Sequence, residues 1–405
     1  MIGIAVLGFG VVGSGVARLI SENAEHIREK TGKEIRIKRI LDLREFPDSP
    51  FASLLCHDIE EILTDPEIAI VCEVIGGCRA AYDFTRRALL AGKSVVTSNK
   101  ELVATHGTEL LCLAEEMGVH YLFEGSVGGG IPVLHPLSSD LALANDILRI
   151  DGILNGTTNY ILTRMKEDGM SFADALRGAQ ERGYAEADPS ADIEGKDVCR
   201  KICILGALAF GAAVPCDRIP TVGITEVTLS DIENAERLGC SVKLIGSAEK
   251  DPQGRMVLCV RPCFVRHENP LAGITDVFNG VLIRGNFVGD VMFYGRGAGS
   301  DPTASAVAAD AIRIAAGIAE PVHPWRDAPQ EKIGDPQSIP SLFCVTVSTE
   351  NAALAERFFG QPDRLLPSAG KLTLLLREKI DRAELNRRIA AASSAFSVSS
   401  VYEVL

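Results

Sequence analysis

The sequence predicts an α/β protein with an N-terminal Rossmann-type doubly wound parallel sheet, a second α+β domain, and a small α/β module at the C-terminus. Three observations carry this reading. Apolar strands alternate with helical segments through the first third. After Pro132 the alternation stops, and helices dominate to Ala213 before β-branched strand runs take over. Pro321, Pro324, Pro329, Pro336 and Pro340 then mark a linker before a last short set of elements. The 405 residues suit two or three domains, and 46% hydrophobic residues supply a large core.

In the first third, strands are predicted at Ile2–Leu7, Ile35–Leu41, Glu67–Ile75, Ser94–Thr97 and Val119–Phe123, with helices over Val11–Lys30, Ala80–Ala91 and Glu101–Met117. Beyond Pro132, the apolar run Ile202–Val214 is too short to cross a bilayer and reads as a buried helix. Strands follow at Val242–Ala248, Met256–Val265, Val281–Gly285 and Val291–Phe293, a sheet expected to carry helices on one face. The Ala-rich segment Thr303–Ile318 is a helix able to return to the first domain, so the first domain is expected to cover 1–132 plus about 300–320, with the second over 133–299. The terminal module, 341–405, reads as strand 342–347, helix 350–359, strand 371–376, helix 381–392 and strand 398–404.

Composition excludes several classes. A net charge of −13 argues against a nucleic-acid partner. Met1 leads straight into a strand, so neither a signal peptide nor a membrane span is expected. The eleven cysteines form no CxxC pair, which predicts reduced thiols and a cytoplasmic protein. The seven histidines make no HxxxH or HExxH pattern, so a zinc site is not expected.

Gly8-Phe9-Gly10-Val11-Val12-Gly13 is a GxGxxG placed directly after a strand and opening a helix. The first glycine permits the tight turn, the second lets backbone approach a pyrophosphate, and the third lets helix and strand pack closely. The helix N-terminus presents free N–H groups to the anion. Strand, turn and helix in this order predict a dinucleotide cofactor, against the alternative of a tight turn in another α/β protein. Asp42, at the end of the second strand, could accept a ribose 2′-hydroxyl and favour NAD; Arg44, or Arg39 before it, could hold a 2′-phosphate and favour NADP. Asp42 lies further past Gly13 than the usual spacing, and the choice leans slightly to NADP.

The most informative stretch is Gly183 to Lys201, an acidic loop interrupted by Gly and Pro that runs into a helix. Asp197, Lys201, Leu205 and Leu208 share one helix face, so a charged pair points toward an interior. An ordinary exposed ion pair is the alternative; the apolar flank and the nearby carboxylates Glu186 and Asp192 favour a tuned acid/base group.

Gly183–Lys201, Ser98–Ala104 and Gly152–Leu162 together resemble the signatures of homoserine dehydrogenases, in the same chain order, from the N-terminal fingerprint to about Gly299. The resemblance implies NAD(P)H-dependent reduction of L-aspartate 4-semialdehyde to L-homoserine, in the biosynthesis of threonine, methionine and isoleucine. It implies Lys201 as proton donor, Lys100 beside nicotinamide and substrate, Glu186 and Asp197 on the substrate ammonium with Asp192 in support, and Ser98, Gly183 and Gly299 against the cofactor. A lysine ammonium suits the oxyanion left by hydride addition, and carboxylates suit an ammonium substrate. The segment Glu124–Pro132 also matches, and its three consecutive glycines are foreign to a helix or strand interior. In the family this loop binds a monovalent cation, sodium or potassium, here implying Glu124, Val127, Gly129 and Ile131; a flexible interdomain turn is the alternative. The second domain would be catalytic and dimerising, giving a homodimer or tetramer. The terminal module resembles a shortened βαββαβ ACT domain, but its first strand runs into Val347-Ser348-Thr349-Glu350-Asn351 without the family's acidic-x-Pro-Gly turn, which argues against effector binding in the usual pocket.

Two rival functions fit less well. A phosphorylating aspartate-semialdehyde dehydrogenase needs a cysteine nucleophile. The turn Asn155–Asn159 has none, and Cys199 and Cys203 fall in the apolar helix. A catalytically dead amino-acid sensor has no use for Lys100 and Lys201 beside Glu186 and Asp197.

Overall fold

The computed structural model describes residues 1–405. Strands β1 (Ile2–Leu7), β2 (Ile35–Leu41), β3 (Leu55–Cys56), β4 (Ile68–Glu73), β5 (Ser94–Thr97) and β6 (Tyr121–Leu122) pair in the order β3-β2-β1-β4-β5-β6. Every pairing is parallel. The order reverses between β1 and β4, where a doubly wound sheet opens its ligand crevice at the strand C-termini. Ile4 to Leu7 are fully buried, as a strand covered by helices on both faces requires.

The helix predicted over Val11–Lys30 is two helices, Val11–Glu22 and Ala24–Thr31, separated at Asn23. The fifth predicted strand shrinks to two residues, and the short edge strand β3 escaped detection because two residues carry no period. Helix Ser300–Ala316 returns to the first sheet: Ala304, Val307, Ala308 and Ala311 share a core with Val16, Ala17 and Ile20. Gly15 makes this approach possible, since a Cβ there would lie 2.9 Å from the Ala304 side chain.

The second region contains β7 (Ile147–Ile153), β8 (Ala212–Ala213), β9 (Cys240–Lys250), β10 (Met256–Arg266), β11 (Phe278–Gly285) and β12 (Gly289–Arg296). β7 falls where the sequence reads as helical; its strand character comes from antiparallel pairing with β9 and β11. β8 instead pairs with β13 (Arg326–Asp327) in a small separate ribbon. Helices Gly156–Asp168 and Lys196–Phe210 pack on the β7–β10 face. Gly246 in β9 lets the second of these come close, because a Cβ would lie 2.9 Å from Val198.

The terminal module runs β14 (Leu342–Val347), helix Ala352–Phe359, β15 (Arg364–Ser368), β16 (Lys371–Leu375), helix Arg382–Ala392 and β17 (Val398–Val404). Its sheet order, β17-β14-β16-β15, is antiparallel and is that of a split βαβ fold. β15 was not read from sequence because Pro367 interrupts it, which an edge strand tolerates. The module has its own core around Phe343, Val345, Leu374 and Leu385. It is not detached: β17 pairs in parallel with β10 at Cys263↔Glu403 and Phe264↔Val404, producing one nine-stranded sheet. All eleven cysteines are free, and no helix is long and apolar enough to cross a membrane.

Candidate active site

The cleft is built first from the C-terminal ends of β4 and β5. Glu73 is fully buried, and its carboxylate accepts from the Ile75 N–H at 2.7 Å and the Thr97 hydroxyl at 2.6 Å. Burial pushes Glu73 up to about 7, opposed by those hydrogen bonds. Thr97 Oγ1 accepts from the Asn99 N–H at 2.9 Å, and the Asn99 amide donates to the carbonyls of Ile75 (3.3 Å) and Gly77 (2.7 Å). Asn99 Oδ1 accepts from Leu102 N–H at 3.0 Å and so caps helix Lys100–Met117. The strand ends are thereby tied together, and Lys100 is set as the first residue of that helix.

From there Lys100 reaches the second domain. Its Nζ lies 2.6 Å from Asp197 Oδ1. Asp197 Oδ2 lies 2.8 Å from Lys201 Nζ, one helical turn on, and Lys201 also donates to the Leu154 carbonyl at 2.7 Å. Asn155 completes the cluster, its amide donating to Asp192 Oδ1 at 2.7 Å and to Asp197 Oδ2 at 2.9 Å. Asn155 Oδ1 meanwhile accepts from Thr158 N–H at 2.8 Å, capping helix Gly156–Asp168. Asp197 and Lys201 are buried, whereas the Lys100 side chain is 41% exposed at the cleft.

Electrostatics separates the two lysines. Burial pulls Lys201 below the ordinary lysine value, with Lys100 adding to the effect and Asp197 opposing it. Burial acts the same way on Lys100, but the Asp197 carboxylate, helped by Asp192, carries it upward. Asp197 is itself buried, yet Lys201 and Lys100 together hold it well below the usual carboxylate range. Burial raises Asp192, with the charge of Asp197 adding and the Asn155 hydrogen bond opposing. A carboxylate that stays charged between an easily deprotonated lysine and a firmly charged one is an arrangement suited to moving a proton at Lys201.

The glycine turn stands at the same edge. Gly8 has φ 92°, and a Cβ on Gly13 would lie 1.9 Å from the Gly8 carbonyl oxygen. A Cβ on Gly10 would meet only the Arg44 guanidinium at 3.9 Å, leaving the room a pyrophosphate needs. Val11 and Val12 form the first helical turn, and Val11 is largely exposed at the open rim. Phe9 N–H donates to Asp42 Oδ2 at 2.7 Å. Arg44 closes on the same carboxylate through its backbone N–H and guanidinium, at 2.9 to 3.0 Å, and holds Asp42 well below the usual range. Arg44 also lies 5.0 Å over the Phe46 ring. These residues fit a dinucleotide.

The other predicted site residues divide. Gly299 (φ 126°) precedes Ser300, whose hydroxyl donates to the Val11 carbonyl at 2.9 Å, so Gly299 lies beside the glycine turn. Ser98 packs against Gly125, where a Cβ would lie 3.1 Å away. Gly183 (φ 73°) and Glu186 are exposed and are not drawn into the lysine cluster. Their loop is anchored by the Thr157 hydroxyl donating to the Tyr184 carbonyl at 2.7 Å, while the Glu186 side chain has no partner.

In the predicted cation loop, the Glu124 carboxylate is already committed: it accepts from the N–H groups of Val133 (2.6 Å), Leu134 (2.8 Å) and His135 (2.7 Å). Glu124 can therefore offer a cation only its backbone carbonyl. The carbonyls of Val127, Gly129 and Ile131 accept no hydrogen bond, and no group of three His, Cys, Asp or Glu side chains forms a metal site. Carbonyl oxygens without donors fit a hard cation rather than a transition metal.

Asn155, the Leu154 carbonyl and the Glu73–Thr97–Asn99 network were missed from sequence. Asn155 did carry a signal, since Asn before Gly-Thr-Thr has the composition of a helix N-cap. Its second bond set, to Asp192 and Asp197, depends on residues 37 and 42 positions away. Cys199 and Cys203 are buried in the core.

A Rossmann sheet of this order, facing a Lys–Asp–Lys cluster across a domain cleft, defines an NAD(P)-dependent oxidoreductase. The profile described as homoserine dehydrogenase matches residues 132–312, and that described as homoserine dehydrogenase, NAD binding domain, matches residues 8–124. A homoserine dehydrogenase of Synechocystis sp. is 44% identical over 319 residues, 77% of this chain and 72% of its own length. One from Neisseria gonorrhoeae is 42% identical, covering 78% and 72%. The crystal structure of a Thiobacillus denitrificans homoserine dehydrogenase superposes with a TM-score of 0.89 at 33% identity, over 100% of this chain and 98% of that one. The chain belongs to the homoserine dehydrogenase family of oxidoreductases.

Proposed function

We propose that the chain catalyses the reversible reduction of L-aspartate 4-semialdehyde to L-homoserine, with Lys201 as the proton donor. The observation that carries this reading is the continuous ion-pair path from Lys100 through Asp197 to buried Lys201. The bound nicotinamide would supply the hydride. As the new C–H bond forms, the carbonyl oxygen takes a proton from the Lys201 ammonium, and in the oxidative direction neutral Lys201 takes it back from the hydroxyl. Asp197 pairs with both lysines, Lys100 stands where its charge can orient the polar substrate, and Glu186 and Asp197, with Asp192 in support, offer carboxylates for the substrate ammonium. Exposed Glu186 would reach the substrate from its loop.

NADP is the favoured cofactor. Arg44 neutralises Asp42, removing the acceptor a ribose 2′-hydroxyl needs and offering a guanidinium to a 2′-phosphate. A hyperthermophilic archaeal homoserine dehydrogenase solved in complex with NADPH is similar at TM-score 0.67 and 28% identity, over 79% of this chain and 99% of its own. Arg44→Ala should lower kcat/KM for NADPH about ten-fold or more, in keeping with loss of a charged hydrogen bond of ~1.5–3 kcal/mol, and spare NADH. The free carbonyls of Val127, Gly129 and Ile131, beside a Glu124 carbonyl that accepts only from Val127 N–H at 3.4 Å, support a sodium or potassium ion that would stiffen the interdomain loop. Exposed Phe287, Met292 and Tyr294 at the edge strand β12 support assembly with a second copy. Free thiols throughout suit the cytoplasm.

The deciding assay is spectrophotometric. Homoserine-dependent reduction of NADP+ or NAD+ without phosphate is expected, and no turnover with either cofactor would overturn the assignment.

A further inference from the structure

A second ion pair crosses the cleft beside that of Lys100 and Asp197. Arg200 Nη2 donates to Glu101 Oε1 at 3.2 Å. Each partner adjoins a lysine of the site: Glu101 follows Lys100, and Arg200 precedes Lys201. The charges run in opposite order on the two helices. Lys100 and Glu101 are positive then negative, and they face Asp197 and Arg200, negative then positive. A slip of one helix along the other would therefore set like charges together.

The two pairs differ in how firmly they are made. Lys100 Nζ lies 2.6 Å from Asp197 Oδ1, but its direction makes no hydrogen bond, and that buried oxygen has no hydrogen-bond partner. Asp197 Oδ2, by contrast, accepts from both Asn155 and Lys201. Oδ1 is thus the acceptor left for an incoming ammonium, and a substrate that takes it weakens the hold of Lys100 on Asp197. The Arg200–Glu101 contact is a directed hydrogen bond as well as an ion pair, and neither side chain has another charged partner. Neither bonds to Asp192, Asp197 or Asn155, so the substrate can rearrange that cluster without unmaking this pair.

Both residues are placed by their helices. Glu101 lies in the first turn of helix Lys100–Met117, where the dipole favours an acid and Asn99 fixes the cap. Arg200 lies on helix Lys196–Phe210, which packs against it. Cys78, at the head of helix Arg79–Leu90, lies near both charges, so the pair stands beside the β4 end of the crevice.

We propose that Arg200 and Glu101 are positioning residues, a holding pair that keeps the nicotinamide domain in register with Lys201 while the substrate ammonium draws Asp197 away from Lys100. This rests on the reaction proposed above. The side chains are 28% and 42% exposed, and a pair so open to water adds little to the stability of the fold. A displacement of about 1 Å between reacting groups, however, costs up to about 10²-fold in rate. Loss of the pair should therefore show in turnover and not in melting.

A double-mutant cycle on the full chain tests it. Arg200→Gln and Glu101→Gln should each lower kcat for homoserine oxidation about ten-fold, with Tm and NADP(H) affinity close to the parent's. The double variant should lose no more than either single one, because both remove the same interaction. Arg200→Lys should recover most of the loss, since the contact is a single one rather than a fork. Losses that multiply in the double variant, or a full loss in Arg200→Lys, overturn the pair. A shifted pH midpoint of kcat/KM in Arg200→Gln overturns the register role, since Arg200 would then act by its charge on the lysines. Hydrogen exchange of the ligand-free protein gives an arm without turnover. Residues 98–104 and 196–201 should exchange about three-fold faster in both single variants, and equally so in the double; exchange unchanged in all three overturns the clamp. If the parent does not oxidise homoserine, the proposed reaction fails, and the exchange arm still decides whether the pair holds the domains.

Discussion

At the scale of single residues, the cluster makes separable demands on Lys201, Asn155 and Asp197. Lys201→Ala should reduce turnover by roughly 10²–10⁴-fold, the range for a positioned proton-transfer group, while NADP(H) affinity measured by fluorescence titration stays nearly unchanged. Near-normal turnover in that variant would show that another group handles the proton. The direction of the pH dependence follows from burial, which places Lys201 below the ordinary lysine value. On the proposed mechanism homoserine oxidation uses neutral Lys201, so its kcat/KM should rise as pH climbs through that lowered pKa and level off above it. On the same mechanism semialdehyde reduction uses the ammonium, so it should be full below the same pKa and fall as pH rises. Profiles moving the same way in both directions would argue against this assignment. Asn155 acts through the two carboxylates it bridges. Asn155→Ala should raise KM for homoserine more than it lowers kcat, because Asp192 and Asp197 lose the donor that offsets their repulsion. Asn155→Asp should be worse, adding a third negative charge where a donor stood; equal KM values for both variants and the parent would make the bridge merely structural.

At the scale of elements, what the sequence reveals depends on whether an element's reason is local. The glycine turn was fully legible because all three glycines answer constraints within six residues, and the close approach of Gly13 to Gly8 is visible in spacing alone. Gly13→Ala should therefore abolish measurable dinucleotide binding in equilibrium dialysis. The charged helix face was legible as well: Asp197 and Lys201 are one turn apart with Leu205 beyond, and all three are buried. β7 was not, because its strand character comes from neighbours about 100 residues away in β9 and about 130 away in β11. β15 was hidden by its proline, and the break at Asn23 by a helical period that continues across it. For the site, family resemblance placed Lys100 beside nicotinamide and substrate, but its ion pair with Asp197 was not legible, since no periodicity joins residues 97 positions apart. The full commitment of the Glu124 carboxylate to backbone N–H groups was equally invisible, because the donors come from the far side of a glycine turn.

At the scale of the whole molecule, three connections hold the parts in register. Helix Ser300–Ala316 brings the chain back onto the first sheet, the Lys100–Asp197 pair spans the cleft, and the Cys263–Phe264 pairing joins the terminal module. The last has a consequence for which backbone edges stay covered. β10 is an eleven-residue strand whose outer border is masked only in patches: by Pro220 to Val222 at Val260, by Ile333 and Gly334 at Met256, and by β17 at its far end, where Phe264 stacks on Tyr402. Each patch is short, so none can be lost without uncovering backbone groups able to recruit a strand from another molecule. A chain ended after residue 340 should keep its Rossmann and catalytic cores yet form larger particles in multi-angle light scattering, at concentrations where the full chain gives one uniform species. Adding lysines along the uncovered border should restore that uniformity. On this expectation the appended module acts as a shield along the border of β10.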